Sequence, residues 1–94
     1  MPAYVIAIRE RITDEAEMAL YRQYAVTADT SKARGLAVYG RFENLENAPF
    51  DTAAIIEFPT FEDAKAWYHS AEYQLAREHR MKGSDFKFMI VEGI

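Results

Sequence analysis

The strand-like segments of this 94-residue chain are apolar on both of their sides, and that feature limits what the chain can fold into. Ala3 to Ile8 is an unbroken run of six apolar residues, and strand alternation through Arg11 sends Tyr4, Ile6 and Ile8 one way and Val5, Ala7 and Arg9 the other. Later segments behave alike. One side collects Leu36, Val38 and Phe42, then Ala54, Ile56 and Phe58, then Phe86, Phe88 and Ile90. Together with Tyr4, Ile6 and Ile8, this set is expected to pack beneath helices. A sheet side left to water should read polar. The opposite side instead holds Val5, Ala7, Ala37, Tyr39, Ala53, Ile55, Met89 and Val91, joined by Arg9, Arg41, Glu57 and Lys87. A patch of that extent rarely stays bare on a monomer, so two copies are expected to bury it together, sheet against sheet, as a homodimer.

The helices are marked by their caps. Thr13 and Asp14 precede Glu15 and Glu17, a cap followed by negative charge in a first turn. That helix is expected to run to about Ser31, with Leu20, Tyr21, Tyr24, Ala25 and Ala28 on its buried side. A second strand is expected from Leu36 to about Glu46, with a bulge or bend at Gly40. Asn47 to Asp51 reads as a hairpin turn into a third strand, Thr52 to Phe58. Pro59 stops that strand, and Thr60 with Asp63 resembles a capping box. Phe61, Ala64, Trp67 and Tyr68 recur at helical spacing, and Ser70 caps a second helical piece that ends at Lys82-Gly83. Phe86 to Val91 is the last strand. The order β-α-β-β-α-β is that of a ferredoxin-like α+β domain, an antiparallel sheet with both helices on one face, and residues 1–94 read as a single such domain.

Composition narrows the function classes. Half of the residues are hydrophobic and 28% are charged, a globular balance that excludes disorder. Eleven basic residues against fifteen acidic ones give a net charge of −4 with no basic half, so nucleic-acid binding has no electrostatic footprint. The absence of cysteine removes disulfides, thiolate metal sites and cysteine nucleophiles. The longest apolar run is far short of a membrane span or a signal-peptide core, so a cytoplasmic protein that engages no membrane is expected. No phosphate loop, dinucleotide fingerprint or catalytically spaced carboxylate pair occurs, and no cofactor is expected.

The residues able to carry chemistry are few. Arg9, Tyr39, Arg41, Glu57 and Lys87 lie among apolar neighbours, the mixture of a small-molecule pocket. An Arg41–Glu57 pair equally suits a device that sets dimer register. Trp67 is expected to fill the helix–sheet core with its N–H bonded to an acceptor, and Tyr68 to sit at a pocket mouth. Ser70 reads as a cap, not a nucleophile, since a neighbouring His69 in sequence does not make an oriented base. His69 and His79 are the catalytic candidates, as general bases, the role for which imidazole is the usual side chain. Ten residues apart across a capped break, they share no helical face, so no metal site is expected. Tyr73, Arg77 and Arg80 form one helical stripe, which either meets an anionic ligand or the adjacent subunit or, more ordinarily, faces solvent near a helix C-terminus.

Glu57-Phe58-Pro59-Thr60, Ala64, Trp67-Tyr68, Ser70, Glu72-Tyr73 and Arg80 together resemble the signature of the domain-of-unknown-function 1330 family. Asp85, the terminal Val91-Glu92-Gly93 and the opening Met1-Pro2-Ala3-Tyr4-Val5-Ile6 extend the resemblance over essentially the whole chain. It implies a subunit of the dimeric α/β-barrel superfamily. Other branches of that superfamily look like cofactor-free monooxygenases, lactone isomerases, haem enzymes and ligand-binding stress proteins, and a fold so widely reused does not select among them. The chain also departs from the family pattern. It reads Ala33-Arg34-Gly35 where a Gly-Gly-Arg doublet is usual, has Tyr39 in place of a strand arginine, and has Ala71 in place of a proline after Ser70. Arg41, two residues on, is the nearest substitute for the strand arginine.

Two functions are compatible with these residues. One is a homodimer that binds a small, partly apolar metabolite between sheet and helices. The other is a cofactor-independent oxygenase or isomerase acting on an aromatic or lactone substrate, with His69 or His79 as base and Arg41 or Tyr39 stabilising oxyanion charge. No strand residue expected at the pocket is a histidine, which favours binding.

Overall fold

Seven elements follow one another as β1 (Ala3–Ile12), α1 (Glu15–Ala25), β2 (Arg34–Val38), β3 (Thr52–Phe58), α2 (Phe61–His69), α3 (Ala71–Gly83) and β4 (Ser84–Glu92). The computed structural model describes residues 1–46 and 49–94. The strands form one antiparallel sheet in the order β2-β3-β1-β4, with β1 in the interior, where a strand apolar on both sides belongs. β1 pairs with β3 from Ala3–Phe58 to Arg9–Thr52, and with β4 from Ala3–Glu92 to Ile12–Ser84.

The caps fix the covering helices. The Asp14 carboxylate accepts from the N–H groups of Ala16 and Glu17, at 3.0 and 3.3 Å, and so starts α1. Thr60 Oγ1 accepts from the Asp63 N–H at 3.1 Å and starts α2. Ser70 does two things at once. Its hydroxyl donates to the Trp67 carbonyl at 2.7 Å and accepts from the Tyr73 N–H at 3.2 Å, so it ends α2 and begins α3. Each cap satisfies backbone groups that the first or last helical turn leaves unpaired.

Two elements are shorter than their sequence suggests. α1 stops at Ala25, not near Ser31, because local side-chain bonds replace the helical ladder: the Thr27 hydroxyl donates to the Tyr24 carbonyl, and Asp29 accepts from the Ser31 N–H. β2 begins at Arg34 and ends at Val38, well before Glu46, and its bulge falls between Gly35 and Ala37, not at Gly40. The hairpin turn expected over 47–51 lies partly outside the described residues, at Asn47 and Ala48.

The facing of β1 is the main correction. Ala3, Val5 and Ala7 lie beneath the helices, at most 2% exposed, while Tyr4, Ile6 and Ile8 point the other way. The cross-strand register leaves no alternative, because Val5 sits opposite Ile56 and Ile90, and Ala7 opposite Ala54 and Phe88. The helices bring the bulk to this side: Trp67 and Tyr73 stack against Phe58 and Phe88, and small residues on β1 let them approach. The larger side chains of β1 are left on the open face beside Ala53, Ile55, Met89 and Val91.

Candidate functional site

Between the sheet and α1 and α3 lies a cavity of about 460 Å³. Its floor is made by Ala7 and Ala54, which face each other across β1 and β3 and are too small to fill the space above them. Its walls are aromatic: Tyr21 from α1, Trp67 from α2, Tyr73 from α3, Phe88 from β4, and Tyr39 just past β2. Val26 and Val38 also line it and are 79% and 63% exposed, which marks its mouth between the end of α1 and the edge strand β2.

Tyr39 reaches this cavity through an unusual backbone. Its φ of 52° lies in the left-handed region, where a tyrosine is uncommon and costs about 1–3 kcal/mol. The inversion breaks strand alternation, so Val38 and Tyr39 both turn to the helix side. The Tyr39 ring meets the edge of Phe86 at 6.3 Å, and the Arg9 guanidinium lies 5.6 Å from its centroid. Arg9 is held in turn by Asp51 at 2.8 Å.

The polar groups of the cavity form a small set. The hydroxyls of Tyr21 and Tyr73 are 3.0 Å apart. Behind them stands Arg80, 3% exposed, with its guanidinium 4.3 Å from the Phe88 ring and 5.4 Å from that of Phe86. Burial pushes the Tyr21 hydroxyl far above the ordinary phenol range, and its neighbour Tyr73 adds to the effect. Tyr39 and Tyr73 are also raised, again chiefly by burial, while the positive charge of Arg80 pulls both back. All three phenols are therefore neutral hydrogen-bonding groups near neutrality. Two buried donors, Trp67 Nε1 and Arg80 Nε, have no acceptor among the described residues.

The structure separates the residues that the sequence singled out. Arg9 and Tyr39 come together on the helix side and not, as their alternation implied, on the open face. Glu57 and Lys87 do lie on the open face, where Glu57 is 3.9 Å from Arg34 and Lys87 is 3.3 Å from Glu10. The partner of Glu57 is thus Arg34, while Arg41 is exposed beyond the end of β2. Tyr68 packs on Tyr73 and Phe88, accepts from Arg77 Nε at 2.9 Å, and borders a second hollow of about 260 Å³ with His69. His79 lies on the side of α3 that meets α1, with Nδ1 2.6 Å from Glu17 and its ring stacked on Tyr24.

Trp67 fills the core as expected, but its N–H is unbonded among the described residues, and the indole also forms cavity wall. Tyr73 and Arg80 are buried, contrary to the solvated stripe their spacing suggested, and only Arg77 of that set stays half-buried. Tyr21, expected only as a buried helix residue, and Arg80, expected chiefly on a solvated stripe, are the residues that sequence reasoning did not place at the pocket. The signal lay in Tyr73, Ala76, Arg80 and Gly83, a buried stripe that places an arginine where an apolar residue is usual. No three His, Asp or Glu side chains converge on a metal position among the described residues.

Order of strands, one-sided helices and the cavity between them define a ferredoxin-like α+β fold. The chain belongs to the family described as domain of unknown function DUF1330, whose sequence profile matches residues 2–94. Comparison with curated proteins yields no match. Among solved structures, the chain is similar to a protein of unknown function from Rhodopseudomonas palustris, with a TM-score of 0.73 at 16% identity over 99% of this chain and 82% of that one. It is also similar to a dimeric protein of unknown function and ferredoxin-like fold from Bacteroides fragilis, with a TM-score of 0.60 at 15% identity over 98% and 96%. A third similarity is to SnoaB, a cofactor-independent oxygenase from Streptomyces nogalater, with a TM-score of 0.58 at 8% identity over 99% and 92%. Such identities carry the fold and not the chemistry. No helix among the described residues is long and apolar enough to cross a membrane.

Proposed function

We propose that residues 1–94, folded as one domain, form a homodimeric binding protein that holds a small, partly apolar molecule in the cavity between sheet and helices. The observation that carries this reading is the cavity itself. Its apolar floor and aromatic walls, with a few convergent polar groups, match the composition of small-molecule sites. Tyr39, with Arg9 behind it, is the expected ligand contact that lines this space, and Tyr68 borders the adjoining hollow.

The dimer rests on the open face. Tyr4, Ile6 and Ile8 lie there with Ile55, Met89 and Val91, and every residue of β2 is exposed. A second copy buries both surfaces at once, with Glu57 and Lys87 meeting it, and the Bacteroides fragilis protein of the same fold is dimeric. We place the protein in the cytoplasm, which cell fractionation tests.

Binding is favoured over base catalysis because no described residue lining the cavity is a histidine, aspartate or glutamate. Native mass spectrometry of the protein as purified tests both halves of the reading. A dimer carrying an additional small mass is expected. A clean monomer at micromolar concentration sinks the dimer. A dimer that takes up no aromatic compound on titration sinks the binding role.

A further inference from the structure

Arg80 is buried without a counter-charge. No carboxylate lies within ion-pair distance of it among the described residues, and its Nε–H has no acceptor there. The face of Phe88 attracts the cation but supplies no acceptor in the plane of the guanidinium. A buried cation in that condition is strongly unfavourable unless something negative completes it.

Arg80 does not line the cavity, so an anion there meets its charge across Tyr73. Phe88 and Tyr73 separate Arg80 from the cavity, and both line it. The Tyr21 and Tyr73 hydroxyls hold two protons between them and share one hydrogen bond, so one O–H remains to be donated. Both phenols are kept neutral by burial, so the charge behind them is that of Arg80, while Arg22 is the exposed charge in the cavity lining. The rest of the chamber is mainly apolar, bounded by the rings of Trp67, Phe88 and Tyr39 above two alanines, with Arg22 and Thr30 as its further polar lining.

Resting on the binding role above, we propose that the ligand is a planar aromatic acid whose anionic oxygen is received by the Tyr21–Tyr73 hydroxyl pair in the field of Arg80, with its ring between the aromatic walls. A carboxylate or an acidic phenol or enol supplies the same chemistry, an anionic oxygen on a planar ring system. A neutral analogue of equal shape gains the ring contacts and forgoes the charge. A cationic one is repelled.

Trp67 is the chain's single tryptophan and part of the wall, so quenching of its fluorescence reads binding directly. The probes are 2-naphthoate and its neutral counterpart 2-naphthylmethanol, titrated into the intact protein. Naphthoate is expected to bind at least tenfold more tightly. Tyr21→Phe, which removes one hydroxyl and keeps the ring, is expected to erase most of that preference. Arg80→Gln is expected to do the same more completely, and Tyr21→Phe keeps the test decisive if the Arg80 variant does not fold. Equal affinity for the two probes overturns the anion assignment and leaves the binding role standing. Binding of neither probe overturns both. A preference for naphthoate that survives Tyr21→Phe and Arg80→Gln places the anion elsewhere and overturns the assignment.

Discussion

The two faces of the sheet are built from the same strands and solve opposite problems. Beneath the helices, β1 contributes Ala3, Val5 and Ala7, and the volume comes from Trp67, Tyr73 and Phe88. On the open face β1 contributes Tyr4, Ile6 and Ile8, which are only half-buried. The larger apolar residues of a strand are usually assigned to the core, and here they are not. A face that receives helices at close range uses small residues, whereas the long ones of the open face suit the flat sheet of the proposed partner copy. The covered face gains from its alanines a space that no side chain fills.

The sharpest way to break this contrast is to place the same charge on adjacent residues of β1. Val5→Asp puts a carboxylate 1% exposed in the core, and the several kcal/mol that this costs is comparable with the whole stability of a small domain. No cooperative melt by circular dichroism is expected. Ile6→Asp, one residue on, is expected to fold and to lose the dimer. Each buried isoleucine contributes about 1.5–3 kcal/mol, and the twofold axis counts it twice, so dimer affinity falls by about a hundredfold or more. Light scattering across a dilution series reads the change, and a folded, dimeric Ile6→Asp protein would remove the open face from the interface.

A third substitution sharpens the account of the covered face. Ala54→Leu fills the cavity floor, so uptake of an aromatic probe falls at least tenfold by Trp67 fluorescence, with stability altered by no more than about 1–3 kcal/mol. Undiminished binding would move the ligand out of this chamber. The smallest effect concerns the link between α2 and the segment before β2. Lys32 bonds Asp63 at 3.2 Å, and this contact, with Thr60, holds the Asp63 carboxyl below its usual range. Its contribution is therefore present above the ordinary carboxylate range and is lost as pH falls through the lowered value. The difference in melting temperature between the wild type and Asp63→Asn is expected at pH 7 and should vanish in strong acid.

The same contrast separates what could be read from the chain from what could not. Asp14, Thr60 and Ser70 were legible as caps because each makes its bonds within three residues of itself. β3 was legible because Pro59 ends it locally. The facing of β1 was not, since both of its sides are apolar and only the cross-strand register decides between them. Tyr39 depends on one backbone angle that nothing in its residue type favours. Arg80 was hidden by a sound local rule, that basic residues near a helix C-terminus favour the dipole, which says nothing about which way the residue points. The cavity is an emptiness above two alanines, and alternation patterns count side chains without measuring the space they leave.

The carbonyl of Gly83 has a mechanical consequence. It accepts from both Thr13 and Asp14, at 2.8 and 3.1 Å, so the end of α3 and the start of α1 share one oxygen atom. A Cβ at position 83 would stand 2.8 Å from that of Glu17, closer than packed atoms come, and only glycine permits this joint. The two helices are thereby tied together at this end. β2, bonded along one edge only, is the compliant wall of the chamber, and its amides are expected to exchange with solvent before those of α1 and α3.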